Sequence, residues 1–156
     1  QQEEKASHQL IAAEVKAERQ LIAARVLEFV VNGNGTVTDI KTGLMWKRMG
    51  EEGEFTWDEA IEFNGKNKVV NFGGFSDWRL PNIEELKSLL LPGAPYPSSC
   101  YICKDTFPNG NNKYTFWSSS PCGNYSWCVR FGNNDGDVCS NYRHYSFAVR
   151  LVRTGQ

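Results

Sequence analysis

The side chains with reactive chemistry are concentrated in one stretch of the chain. All five cysteines (Cys100, Cys103, Cys122, Cys128 and Cys139) lie within forty positions, and none lies elsewhere. Such clustering reads as the disulfide framework of an exported protein, and the odd count leaves one thiol unpaired or intermolecular. Cys100-x-x-Cys103 has the spacing of half a zinc site, but no second pair with matching spacing follows. Asn133-Asn134-Asp135-Gly136-Asp137 offers several oxygen ligands, as a calcium loop would, without the bidentate Glu of an EF-hand, and reads as a tight polar turn. No metal site is therefore expected. There are two histidines, His8 and His144. Cys139 with His144 is the only conceivable nucleophile–base pair, and no G-x-S-x-G elbow, P-loop or dinucleotide fingerprint appears. Neither a catalytic residue nor a cofactor is expected, so the chemistry predicted is recognition.

The net charge of −1 excludes a globally basic nucleic-acid binder. The charges are uneven, however. Residues 1–95 hold eleven Lys and Arg against fifteen Asp and Glu, whereas residues 96–156 hold six against three. An anionic partner would meet less repulsion in the second part. Arg150 and Arg153 fall in a closing strand motif and are expected to serve the fold. The candidate ligand-binding residues are then Lys104, Lys113, Arg130, Arg143 and His144. Arg130 should point away from the strand face that carries Val129 and Phe131. Arginine's planar fork suits oxyanions such as sulfate, through charge-assisted hydrogen bonds.

Two kinds of sequence must position these groups. Residues 1–31 contain no Gly or Pro, and Leu10-Ile11-Ala12-Ala13-Glu14-Val15 returns eleven residues later as Leu21-Ile22-Ala23-Ala24-Arg25-Val26. An eleven-residue period favours a straight or slightly right-handed coil. Ile11, Val15, Ile22, Val26 and Phe29 share one stripe of an amphipathic helix, with Leu10 and Leu21 beside it. A helix of this length is marginal alone. The stripe must be covered, either by the chain's own globular domain or by self-association. The second is favoured, so the seven residues are read as an oligomerisation face, most simply of a parallel homotrimer, with Glu18 and Arg25 placed to pair between helices or to keep the coil weak.

Residues 32–156 use a different vocabulary. Asn32–Gly35 and Lys41–Gly43 are turn signals on either side of Thr36-Val37-Thr38. Residues 56–68 read as a helix opened by a capping box of Thr56 and Glu59, and 80–90 as a second helix entered through Pro81 and Asn82. Strands are expected at Tyr114–Ser118, Trp127–Phe131, Asp137–Ser140 and Phe147–Val152, from their alternation of apolar residues. No stretch approaches the roughly 20 apolar residues of a membrane span. The opening Gln1-Gln2-Glu3-Glu4 reads as the interior of a longer chain.

Four ordered segments carry a resemblance. They are Asn34–Asp39 with Thr42–Trp46; Thr56–Ala60; Ser76–Asn82 with Glu84–Leu86; and Phe116–Ser119 with Val149–Arg153. Together they resemble the DUF1566 domain family, whose fold is a variant of the C-type-lectin fold. The same family supplies the C-terminal domain of the Legionella collagen-like adhesin, which is implicated in binding sulfated glycosaminoglycans. The resemblance implies an α+β fold: a C-type-lectin-like domain behind the self-associating helix. It implies a secreted or bacterial cell-surface adhesin that binds a sulfated glycosaminoglycan or another anionic polysaccharide, with no nucleic acid and no membrane insertion. A second resemblance covers Cys122–Ser146, whose Cys, Gly, Asn, Tyr, Ser, Asp, Arg and His are similar to the variable regions of diversity-generating-retroelement proteins. There the partner would be a protein. A structural trimerisation cap for a longer fibre is a third reading.

Overall fold

The computed structural model describes residues 1–91, 105–108, 115–131 and 137–155. The Ala-, Glu- and Leu-rich opening forms helix α1 over Gln2–Leu27, with Glu3 and Glu4 in its first turn and Arg25 in its last, as the helix dipole favours. At about 1.5 Å per residue it is roughly 39 Å long. The helix stops four residues short of the expected boundary. Phe29–Val31 instead becomes strand β1, antiparallel to β2 (Thr36–Asp39), with Phe29 opposite Asp39 and Val31 opposite Val37. The physical reason is local. Asn32–Gly35 makes a turn, Asn32 N–H donating to Thr36 O at 2.9 Å, and a turn there recruits the β-branched residues before it as well as those after it. The globular part thus begins at Phe29.

Strand β3 (Leu44–Lys47) follows the Lys41–Gly43 turn, in which Gly43 has φ +74°. It pairs with both β2 and β7 (Val152–Thr154), giving a four-stranded sheet of order β1-β2-β3-β7. A second sheet holds β4 (Thr115–Cys122), β5 (Tyr125–Arg130) and β6 (Asp137–Tyr142) in that order. All the strand pairs in both sheets are antiparallel. With the helices these sheets make an α+β fold.

Two short helices are set by their caps. In α2 (Trp57–Ile61) the Thr56 hydroxyl accepts from Glu59 N–H and Glu59 Oε1 accepts from Thr56 N–H; in α3 (Ile83–Lys87) Asn82 and Glu85 repeat the arrangement. Helix α2 passes into a 3₁₀ turn over Glu62–Asn64 and stops at Gly65, shorter than expected. Asn64 is diverted to accept Leu80 N–H at 2.7 Å. Thr56→Ala and Asn82→Ala are each expected to cost about 1 kcal/mol. Chemical denaturation would read this as a lower midpoint with an unchanged slope.

The core has two parts. One gathers Phe29, Val37, Leu44, Trp46, Leu86, Leu89, Phe107, Phe116 and Val129; the other gathers Ala60, Phe63, Trp78, Leu80, Trp117, Cys128, Val149 and Leu151. Residues 148–152 run between them and are buried without alternation, Ala148, Arg150 and Val152 as fully as Val149 and Leu151. The expected strand at Phe147–Val152 is therefore displaced. Only Val152–Thr154 is regular, while Phe147 bridges Phe55 and Ala148 bridges Phe116. Alternation cannot mark a segment that is covered on both sides.

Three arginines are buried in the fold, and one of them, Arg153, donates from Nε to Asp77 Oδ1 at 2.6 Å and lies 3.7 Å over the Phe75 ring. Arg150 is buried, with Nη1 donating to the carbonyls of Lys47 and Arg48 and its guanidinium 5.3 Å from the ring centroids of both Phe107 and Phe116. Burial pushes its pKa down to about 10, against the pull of Glu51, so it is still a cation at neutral pH. Arg25 grips Asp39 with two bonds of 2.8 Å, donates to Ser88 O at 2.8 Å, and lies 4.2 Å from the Phe29 ring. It does not face a neighbouring helix to pair with Glu18, as the repeat suggested. It ties the end of α1 to the head.

Candidate ligand-binding face

The β5–β6 hairpin displays most of the described chemistry. Cys128 and Cys139 stand directly opposite each other, Cα atoms 5.3 Å apart, and form a disulfide. Cys122 is the free cysteine among the described residues; Cys100 and Cys103 lie outside them. The same register sets Tyr125 opposite Tyr142, Trp127 opposite Ser140 and Val129 opposite Val138 on one face. Ser126, Cys128 and Arg130 point to the other.

At the open end of the hairpin the rings collect. Tyr125 and Tyr142 lie 5.0 Å apart, Tyr142 and Tyr145 5.5 Å, His144 and Tyr145 4.9 Å, and Tyr142 and His144 5.4 Å. Tyr125, Tyr142 and Tyr145 are 40%, 49% and 44% exposed. The Tyr142 hydroxyl, hydrogen-bonded to that of Tyr125, raises the Tyr125 pKa above the ordinary phenol value. A depression of about 240 Å³ is lined by Tyr125, Ser140, Asn141 and Tyr142. Farther along the same face a second one of about 220 Å³ is lined by Ile83, Glu84, Lys87, Trp127 and Val138.

Among the described residues the predicted cations are not gathered into one patch. Arg130 is exposed, but it sits at the opposite end of β5 from Tyr125, five residues or about 17 Å away. His144 is exposed within the ring cluster. Arg143 is half-buried and largely committed. Its Nε donates to Ser126 Oγ at 3.0 Å, its Nη2 to Gly123 O and Tyr125 O at 3.1 and 3.2 Å, and its guanidinium lies 4.4 Å over the Trp57 ring. Nη1 alone has no partner among the described residues. Lys104 and Lys113 lie outside the described residues, as does most of the Asn133–Asp137 loop. Among the described residues no group of three or more His, Cys, Asp or Glu could hold a metal ion, and no helix is long and apolar enough to cross a membrane.

Along α1, Leu10, Ile11 and Leu21 are exposed and Val15, Ile22 and Val26 half-buried. Phe29 does not belong to that face. It is in β1, packed edge-on against Phe107 at 5.2 Å in the core.

Tyr125, Tyr142 and Tyr145 fall in the 122–146 surface of the second sequence reading without being singled out there, and Trp57 lies outside it. The signal was present in the cysteines. Pairing Cys128 with Cys139 fixes a register in which Tyr125 must face Tyr142, so a disulfide assignment would have assembled the cluster.

These features define a helix-led α+β domain with a ring-rich hairpin face open to solvent. The chain belongs to the Lcl C-terminal domain family, whose model matches residues 35–153, and so to the collagen-like adhesin domains. The match begins after β1, which the fold nevertheless needs. No curated protein matches the chain.

Proposed function

We propose that this domain is the head of a secreted or surface-anchored bacterial adhesin, C-type-lectin-like and related to DUF1566 domains, and that it binds sulfated glycosaminoglycans through a homotrimer rather than catalysing a reaction. The observation that carries this reading is the junction of α1 with the head. A 26-residue helix with an exposed apolar stripe needs partner helices, and the Arg25–Asp39 pair holds it in fixed relation to the head. Three heads then point the same way. Each offers a modest set of donors: Arg130, His144 and the Nη1 of Arg143, with Lys104 and Lys113 from the same part of the chain. One such set binds a sulfated chain weakly, and three raise avidity by about 10²–10⁴ through effective concentration.

The test titrates heparin or chondroitin sulfate into the whole chain at low and high salt, beside an Ile11→Glu/Ile22→Glu variant that keeps Arg25. Binding is expected to weaken steeply with salt and to fall by at least about 10²-fold in the variant, which should run as a monomer. Absence of binding at low salt would remove the glycosaminoglycan reading.

A second reading has its own observation. Tyrosine-rich exposed faces are what adaptable protein-binding surfaces use, and Tyr125, Tyr142 and Tyr145 fall within 122–146, the segment that resembles retroelement-diversified regions. A protein ligand held there would be far less sensitive to salt.

A further inference from the structure

The ring-bearing face of the β5–β6 hairpin has a chemistry that the polyanion reading leaves unused. Its first depression is lined by Tyr125, Ser140, Asn141 and Tyr142, with no charged side chain and no large aliphatic one. Asn141 turns its amide toward the disulfide, Nδ2 lying 3.7 Å from Cys128 Sγ, so Tyr125, Ser140 and Tyr142 supply the side chains of this lining. What remains is two aromatic rings and three hydroxyls. Trp127, two residues on and so about 7 Å along the same face, lines the second depression. Glu84 and Lys87 line that second depression with it, paired with each other at 3.6 Å.

We infer that this face is a stacking track for a linear saccharide, and that it takes uncharged pyranose rings. The C–H face of a pyranose packs on an aromatic ring as an apolar surface, while its edge carries hydroxyls that both donate and accept. Tyrosine hydroxyls and Ser140 answer that edge, each being donor and acceptor at once. A sulfate or carboxylate finds no cation among the described residues that line the first depression. A protein anchor finds no large aliphatic side chain among the described residues that line it. Two depressions in line along one strand face fit consecutive residues of a chain. The inference rests on the glycan reading above for the class of ligand, and it does not need the cations.

The experiment records amide and side-chain NMR shifts of the whole chain with cellohexaose, chitohexaose, maltohexaose and, separately, heparin. It is done at low salt and at about 1 M NaCl, where the screening length falls to about 3 Å. At least one neutral hexasaccharide is expected to shift Tyr125, Trp127, Ser140 and Tyr142 at both salt concentrations. Tyr142→Ala should weaken that binding roughly tenfold, while Tyr142→Phe, which keeps the ring, should lose only a small part of it. Tyr125→Ala, whose ring lines the same depression, serves as the second variant if Tyr142→Ala lowers the melting temperature. Neutral sugars that shift none of these residues overturn the inference, and so does neutral binding that survives both alanine variants. If heparin then binds at low salt, the polyanion reading stands while the track falls. If a protein ligand alone is held by these tyrosines, the track falls as well.

Discussion

Arg150→Ala is expected to cost about 4–5 kcal/mol, most of the stability of a domain this size. Three losses combine. The carbonyls of Lys47 and Arg48 lose their donor inside the protein, at about 1–3 kcal/mol for each buried polar group left unpaired. The rings of Phe107 and Phe116 lose a packed cation. A cavity opens where the side chain stood. Arg150→Met, which refills the volume but not the hydrogen bonds, should recover roughly half of the loss. The measurement is denaturant unfolding followed by tryptophan fluorescence. An alanine variant as stable as the parent would mean that water replaces the guanidinium at the two carbonyls without cost.

Asp39→Asn should cost about 3 kcal/mol, because it leaves the buried Arg25 guanidinium only the partly exposed Glu28, at 3.4 Å, as counter-charge. Both side chains are almost completely covered, at 6% and 0% exposure. Burial by itself pushes the Asp39 carboxyl up, but Arg25, the Thr42 hydroxyl and Lys41 N–H together outweigh it and hold the pKa below the usual value. The sign follows. The folded pKa is lower than the unfolded one, so the contribution is complete above about pH 5, begins to fade as Asp39 protonates in the unfolded chain near pH 4, and is lost as pH falls through the folded pKa. An acid titration of the parent should show a transition below pH 4 that the Asn variant lacks. The variant should also free α1 to move relative to the head, which interdomain NMR couplings or small-angle scattering would register as a broader spread of shapes.

Much of the architecture was legible because its causes are local. Thr56 with Glu59, and Asn82 ahead of α3, announce helix starts through hydrogen bonds that span three residues. Asn32–Gly35 announces a turn, and the strands at β4, β5 and β6 were placed nearly where they lie. The misreadings share a different cause. Phe29 continues the eleven-residue stripe, yet its side chain is claimed by Phe107 from seventy-eight positions away. Arg25 looked like an inter-helix partner, and only the folded chain brings Asp39 to it. What charge along the sequence does not show is that the Gly123–Ser126 turn and the Trp57 ring hold most of the Arg143 guanidinium, leaving Nη1, or that Arg130 stands at the far end of β5 from Tyr125.

Residues 147–152 impose an order in time. Ala148, Val149, Leu151 and Val152 fill both parts of the core, while Phe147 and Val152 close bridges to Phe55 and Arg79, far earlier in the chain. Until this segment has been synthesised and cleared the ribosome, neither sheet has its apolar side sealed. Helix α1 and the β1–β2 hairpin can form early, and they must then wait with their greasy surfaces open. Contacts of such long sequence separation are slow to form, so the closing of the core by this segment is expected to lag behind α1 and the β1–β2 hairpin.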